Sequence, residues 1–569
     1  AKYLRCSDQQ ARSLLIFLAN NGFVSYDFEE DMATINDKLH YYLAARSNKT
    51  DYDKIEIESV IDAKPNAKIN LLNFDMDLQG VGRIWLSDSQ QVWIAPVNQE
   101  MRLLKNRDFE FNGRVHAGRS DFYGKKFKFL YDQFRLDLDN VDSIRLKVVS
   151  DTEFDENGKP KLIPLKSTLQ NVTGKIYIDS LTNKSSRKSY APYPIFVSDK
   201  EAYVYYDHPS IYNGVYNRDK FYFKMDPFTI DSLDNFSAGG LKFPGNFESG
   251  GIFPTIAETA IIRPDYSFGF ERETPSEGYP MYGGKGKYYS HLDLSWAGLI
   301  GSGKVEYLSS AAESKDIVFF IDSTNMNAAQ WDLRKETIAG VGFPQANGSN
   351  TFVNWRPKED REYVYKSTSN LEVYDKGVSL DGNLILAAKG LGGNGNALFL
   401  ESELYSRDFY FQQNDYGADT SDFKLKSDQE GVLAIQTKNV KSKIDLVKRF
   451  GDFISNGKGS YVSFPLNQYI CYIAQFKWFI DKQEVEFGED YKDNTKLNIE
   501  GSDFVSINPY QDSLRWNAGL ARYSLVDYLI KARKIKEILV ADASIQPNDT
   551  ATIVIERNAV MRPKKKTKI

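Results

Sequence analysis

Along most of this chain the hydrophobic positions recur at every second residue. Phe127, Phe129 and Tyr131 alternate with polar neighbours, as do Phe134, Leu136 and Leu138. A period of two places one face of a strand in a core and the other in solvent. The same rhythm predicts strands over 81–86, 91–95, 141–149, 172–179, 202–206 and 220–225. Only the first 62 residues depart from it. Ser7 followed by Gln10 has capping-box spacing, Ala11, Leu14, Leu15 and Leu18 recur at helical intervals, and Asn21-Gly22 supplies a stop. A strand over 23–28 and a second helix over 37–46, with Leu39, Tyr42 and Leu43 on one face, complete a small α/β unit.

One stretch occurs twice. Residues 298–336 align without a gap on residues 390–428, at an offset of 92 and with 10 identities in 39 positions. Gly298, Gly301, Gly303, Ser314, Asp316 and Phe319 match Gly390, Gly393, Gly395, Ser406, Asp408 and Phe411. The shared order is a Gly-rich turn, a strand, Ser-basic-Asp, and an aromatic strand. Weaker echoes stand near Gly113 and Gly501. The glycines supply turn and bulge positions that need no Cβ, and the serines suit corners where a hydroxyl bonds nearby backbone. Asp316 and Asp408 carry the residue type of a metal ligand, but no second carboxylate recurs beside them at calcium-loop spacing.

Strand-rich units with unpaired edges gain by stacking. The expected fold is therefore mainly β: an elongated stack of antiparallel β-modules, solenoid-like or jelly-roll/sandwich-like, behind a small N-terminal α/β unit. The expected modules are 1–62, 63–150, 151–290 with long loops, 291–382 and 383–487 for the two repeat copies, and 488–569 as the start of a further module. The polar, Gly- and Pro-rich stretches 238–251 and 273–286 read as long connections. Residues 469–480, the most apolar run, read as two core strands with a bend, with Cys471 buried inside. A turn is expected at Pro547-Asn548-Asp549.

Composition changes this picture little. The chain has 569 residues, a formal charge of −5 and 26% charged residues, well mixed, so nothing calls for nucleic acid or an anionic membrane. No apolar run reaches the roughly 20 residues needed to span a bilayer. Two cysteines, Cys6 and Cys471, without metal-type spacing indicate neither a disulfide framework nor a zinc site. The chain opens at Ala1 without a signal segment and closes on Lys564, Lys565, Lys566 and Lys568 in what reads as mid-element. An excerpt or processed form is expected.

Catalytic chemistry has no signature here. The sequence lacks GxxxxGK[ST], HExxH, GxSxG and CxxC. The histidines His40, His116, His208 and His291 are scattered. The Gly298-x-x-Gly-x-Gly303 pattern lies between strands, whereas a dinucleotide loop opens a helix. Catalytic, cofactor-binding and metal residues are therefore each expected to be none.

Several longer segments carry a resemblance. They are Leu71-Leu-Asn-Phe-Asp75, Leu86-Ser-Asp-Ser-Gln90, Lys105-Asn-Arg-Asp-Phe109, Ala117-Gly-Arg-Ser-Asp-Phe-Tyr-Gly124, Asp226 to Phe236, Ser249-Gly-Gly-Ile-Phe-Pro254 and Pro465-Leu-Asn-Gln-Tyr-Ile-Cys-Tyr472. Spread over most of the chain after residue 50, they resemble the Plug proteins of the type IX secretion translocon of Bacteroidetes-type bacteria. That resemblance implies a periplasmic, non-catalytic β-rich protein associated with the outer membrane. Its implied partners are a large translocon barrel and the barrel's associated subunits, with no membrane span of its own. Family members are longer than this chain. Two other readings stand beside it: a glycan-binding or adhesive β-repeat protein of the envelope, and a jelly-roll bridge that carries lipid.

Overall fold

The computed structural model describes residues 2–51, 54–61, 65–457, 460–488, 502–547 and 551–563. The chain divides into two compact units, Ala1–Glu271 with Asp293–Gly298, and Arg272–Leu292 with Leu299–Ile569. The fold is mainly β, with antiparallel modules and, among the described residues, two α-helices near the N-terminus.

The first helix forms where its capping signal predicts, and the second where the apolar spacing does. α1 spans Asp8–Asn20 and α2 Asp37–Arg46. Gln10 N–H donates to Ser7 Oγ at 3.2 Å, and Ser7 N–H donates to Gln10 Oε1 at 3.0 Å, closing the capping box. Between the helices, Val24–Asp27 pairs with Met32–Ile35. The helices' apolar faces are largely exposed. Among described residues 2–51 only Val24 is buried, while Leu14, Phe17 and Leu43 are exposed. These helices rest on local hydrogen bonds and on ties to the rest of the first unit. One tie is Tyr41, whose hydroxyl donates to Asp132 at 2.6 Å beneath the Arg107 guanidinium.

The repeated stretch forms a layer of four long strands. In the second unit the copies begin earlier than their sequence identities do, at Gly286 and Val378, again 92 residues apart. The second and third strands are Gly298–Tyr307 and Ser310–Phe319 in one copy, and Gly390–Phe399 and Ser402–Phe411 in the other. Ser310–Phe319 and Ser402–Phe411 share one burial pattern, position for position. Aromatic and branched side chains on the inner face, Phe319 and Leu404 among them, are fully buried. Each such side chain contributes roughly 1.5–3 kcal/mol on leaving water.

Of the expected turn and bulge roles, these glycines take the bulge. They lie inside the strand, at a β-bulge where the register slips between Gly301 and Gly303, and again between Gly393 and Gly395. One residue there faces two on the next strand, which turns the local face of the sheet. The backbone at Gly303 and Gly395 has φ of +146° and +124°. The Ser-basic-Asp motif occupies the partner side of this bulge, within a strand and away from any corner. Ser314 Oγ lies 2.9 Å from Asn327 O and Ser406 Oγ 2.8 Å from Thr420 O, and each serine accepts the N–H two residues on at 3.1 Å.

The echo near Gly113 is a third layer of the same kind, in the first unit. Phe109–Ala117 pairs with Ser120–Leu130, with Gly113 opposite Gly124 and Ala117 opposite Ser120. Gly303 opposite Ser314 and Tyr307 opposite Ser310 repeat that register 190 residues later. The slip, between Phe111 and Gly113, falls at the same place, and Gly113 has φ of +152°. Gly501 lies outside the described residues, as do Asn548, Asp549 and the lysines after residue 563.

Between and beyond the layers of the second unit the sheet forks. Arg361–Tyr365 and Leu371–Val373 lie end to end between the long strands Ala346–Arg356 and Val378–Ala387. After Leu433–Asp445 there are two lanes of three short strands that meet again on Arg515–Ser524. The apolar run 469–480 supplies one strand to each lane, Tyr469–Tyr472 and Gln475–Phe479. Both stretches read as long connections contain strands: Lys242–Ser249 pairs on both sides, and Tyr279–Met281 closes a hairpin onto Gly286. In the first of them Phe243, Gly245, Phe247 and Ser249 alternate inward, a period masked by glycine and proline.

Candidate functional site

The four histidines are held in separate settings. His40 is exposed on α2. His116 Nδ1 lies 2.7 Å from Asp121 Oδ1, His208 Nδ1 2.8 Å from Ser210 Oγ, and His291 Nδ1 2.9 Å from Glu273 Oε1. Cys471 is fully buried, and burial pushes its thiol well up from the ordinary range, so it is an inert packing residue. Cys6 is partly exposed. Asp316 is spoken for locally: its Oδ2 accepts from Asn327 Nδ2 at 2.7 Å and its Oδ1 faces Ser314 Oγ at 2.7 Å. Burial raises this carboxyl, but those hydrogen bonds outweigh it and hold it below the usual range.

Two grooves are open and more polar than apolar. In the first unit a groove of about 660 Å³ is lined by Asp77, Arg102, Glu110 and Lys128, which pair as Arg102–Asp77 at 2.7 Å and Lys128–Glu110 at 3.5 Å. In the second unit one of about 640 Å³ runs along Gly390–Gly392 and 408–415. Neither lining joins a nucleophile to a base.

The most organised outward-facing cluster lies on the sheet of the first unit. Cross-strand register aligns Trp85, Trp93, His116, Asp121 and Arg145 in a row over five strands. Trp93 stacks on His116 with centroids 4.8 Å apart and lies 6.5 Å from Trp85. Arg83 and Arg114 cover Trp93 at 4.2 and 4.8 Å, and Arg145 sits 5.0 Å from the Tyr123 ring. Such contacts contribute about 0.5–1 kcal/mol each when exposed, more when desolvated. Asp121 anchors the row, receiving Arg114 at 2.8 Å, with Lys147 at 3.8 Å. Burial raises the Asp121 carboxyl, yet the hydrogen bonds from His116 and Arg114 prevail and hold it below the ordinary carboxylate range. Trp85 remains 45% exposed, which leaves an aromatic face beside guanidinium groups. Sequence reasoning missed this row because its members are joined only by strand register. The hairpin between Ala117 and Ser120 was its one legible clue.

A buried carboxyl was missed as well. Glu362, in Arg361–Tyr365, is 1% exposed in the second unit.

No protein-family model matches the chain, and no curated protein is significantly similar to it.

Proposed function

We propose that this chain is a non-catalytic periplasmic plug that sterically closes the periplasmic opening of the large type IX protein-export barrel, preserving the outer-membrane permeability barrier. The reading draws on the resemblance of the segments from Leu71 to Tyr472. The observation that carries it is the thrice-used glycine-bulged layer. A plug needs an extended rigid body and a broad contact surface, with no reacting group. Sheets of long paired strands with fully buried inner faces suit that demand, since close-packed interiors yield little to load. The partners on this reading are the barrel protein and its associated subunits.

The test is affinity purification of the native barrel from the outer membrane. The plug reading requires this chain among the co-purified proteins, and cells lacking it should admit a large hydrophilic antibiotic. A barrel preparation that never contains the chain refutes it. One observation favours a second reading, an envelope glycan-binding module: the exposed Trp85 face beside Arg83 and Arg114. Binding on a glycan array that disappears in Trp85→Ala would support that reading.

A further inference from the structure

The second unit carries, in the core beside its first layer copy, a carboxyl that the other copy replaces with glycine. Alternation along Arg361–Tyr365 turns Glu362 and Val364 inward and Arg361 and Tyr365 outward. Glu362 Oε2 accepts from the Trp331 indole at 3.0 Å and lies 2.9 Å from Ser310 Oγ. Its Oε1 has no hydrogen-bond partner among the described atoms.

The two copies differ at this place in an interpretable way. Arg356 faces Arg361 across one hairpin and Asp445 faces Phe450 across the other. In that register Glu362 corresponds to Gly451 and Trp355 to Ile444, while the repeat sets Trp331 against Phe423 and Ser310 against Ser402. Around Gly451 the space is hydrocarbon, with Phe423 packed 4.2 Å from Phe453 and 5.7 Å from Trp478. The fold therefore does not require a carboxyl at this position.

The count of protons points to a neutral acid. Ser402 Oγ donates to Phe399 O at 2.6 Å, capping its own hairpin, and Ser310 Oγ lies 2.8 Å from the equivalent Tyr307 O. A hydroxyl has one proton to give. With that proton on Tyr307 O, the contact between Ser310 and Glu362 closes when Glu362 is the donor. Among the described residues no cation pairs with Glu362. Lys304 is engaged by Glu306 at 2.6 Å, Arg356 by Glu359 at 3.1 Å, and Arg361 by the Tyr363 hydroxyl at 3.3 Å. The remaining groups facing Glu362 are Leu386 across the sheet, Trp355, and Tyr307, whose hydroxyl donates to Asp360 at 2.8 Å.

We infer that Glu362 is a proton-binding site whose bound proton holds Arg361–Tyr365 against the first layer copy of the second unit, so that proton loss loosens this layer and spares the other. Burial pushes the Glu362 carboxyl up to about 7, although the hydrogen bond donated by the Trp331 indole opposes the shift. The folded value is raised above the ordinary 4.5, so the native state holds a proton that the unfolded state has released. Stability from this site is full below about pH 4.5, falls as pH rises through the window, and stays lost above about pH 7. A shift of this size corresponds to a loss of protection of roughly a hundredfold or more.

The test is amide hydrogen exchange of the full chain by mass spectrometry between pH 5 and 8, corrected for the intrinsic pH dependence. Peptides over Ser310–Phe319, Thr324–Leu333 and Arg361–Tyr365 should lose protection as pH rises, and peptides over Ser402–Phe411 and Phe450–Ser455 should not. In Glu362→Gln the first set should lose its pH dependence. Equal behaviour of the two copies in the wild-type chain overturns the proposal without recourse to a variant. An unchanged pH dependence in Glu362→Gln overturns it as well.

Discussion

Replacing Gly303 by alanine should damage the second unit more than its single added methyl suggests. A Cβ at Gly303 falls on the carbonyl oxygen of Tyr289, well inside van der Waals contact, and 2.7 Å from Ser290 Cβ. Both belong to the neighbouring strand, and Tyr289 presents backbone, so relief requires the strands to part. The φ of +146° is itself a region that L side chains avoid, at a cost of about 1–3 kcal/mol. Overpacking adds about 1–3 kcal/mol. The sum, about 2–6 kcal/mol, lowers the midpoint of a unit this size by roughly 4–24 °C at about 2–4 °C per kcal/mol. Gly340→Ala is the matched control: its φ is +84°, and an added Cβ meets nothing within 4 Å. That variant should lose only the conformational part, about 1–2 kcal/mol. Thermal unfolding of the full chain followed by tryptophan fluorescence reads the difference, because Trp331 and Trp355 are fully buried in the same unit. If Gly303→Ala unfolds with Gly340→Ala, the bulge does not constrain the sheet as described. Gly395→Ala, whose Cβ falls 2.6 Å from Gly382 Cα, should repeat the large effect.

Other outcomes are expected on the same footing. Asp121→Asn leaves Arg114, His116 and Lys147 without their shared acceptor charge and should destabilise the first unit by about 1–3 kcal/mol in urea unfolding. Because the folded Asp121 value is lowered, its contribution is present above the ordinary carboxylate range and is lost as pH falls through the depressed value, so the wild-type advantage over Asp121→Asn should vanish in strong acid. A thiol reagent should modify Cys6 in the native chain and reach Cys471 only after unfolding; prompt double labelling would contradict the burial of Cys471. Ser7→Ala opens the capping box and should cost α1 about 1 kcal/mol, seen as faster amide exchange over Asp8–Asn20 with the rest of the chain unchanged.

The strand-rich fold was legible because alternation along single strands is a local signal. Phe127, Phe129 and Leu136 announce their face without reference to any neighbour. The 92-residue repeat was legible for the same reason. The layer around Gly113 was harder, because at an offset of 190 only scattered identities survive, among them Gly113, Val115, Ser120 and Phe129 against Gly303, Val305, Ser310 and Phe319. The Gly-rich stretch read as turn or bulge because both ask the same freedom of glycine, and only pairing distinguishes them. Forked rows were not legible: Leu371–Val373 is three residues long, and besides its hairpin with Val378–Leu380 its place depends on Ala346 and Asn347, about 25 residues back. Glu362 looks like surface charge in Arg-Glu-Tyr-Val-Tyr, although its parity with the buried Val364 was a usable clue. The N-terminal helices show the converse, since their apolar spacing marks helix correctly while the faces it lines up stay unburied.

The bulge also sets how such a protein can grow. A strand has two faces, and each register slip exchanges them, so loss or gain of one residue near Gly113, Gly303 or Gly395 would turn part of a strand inside out. Lengthening by small increments is therefore closed to the layers, while duplication of a whole period leaves every face where it was. Divergence then collects in the rows between layers, which are two short strands after one copy and two lanes of three after the other. Lineages carrying this architecture should differ in length by whole layers or by rows inserted at the forks, with the glycine spacing inside each layer unchanged.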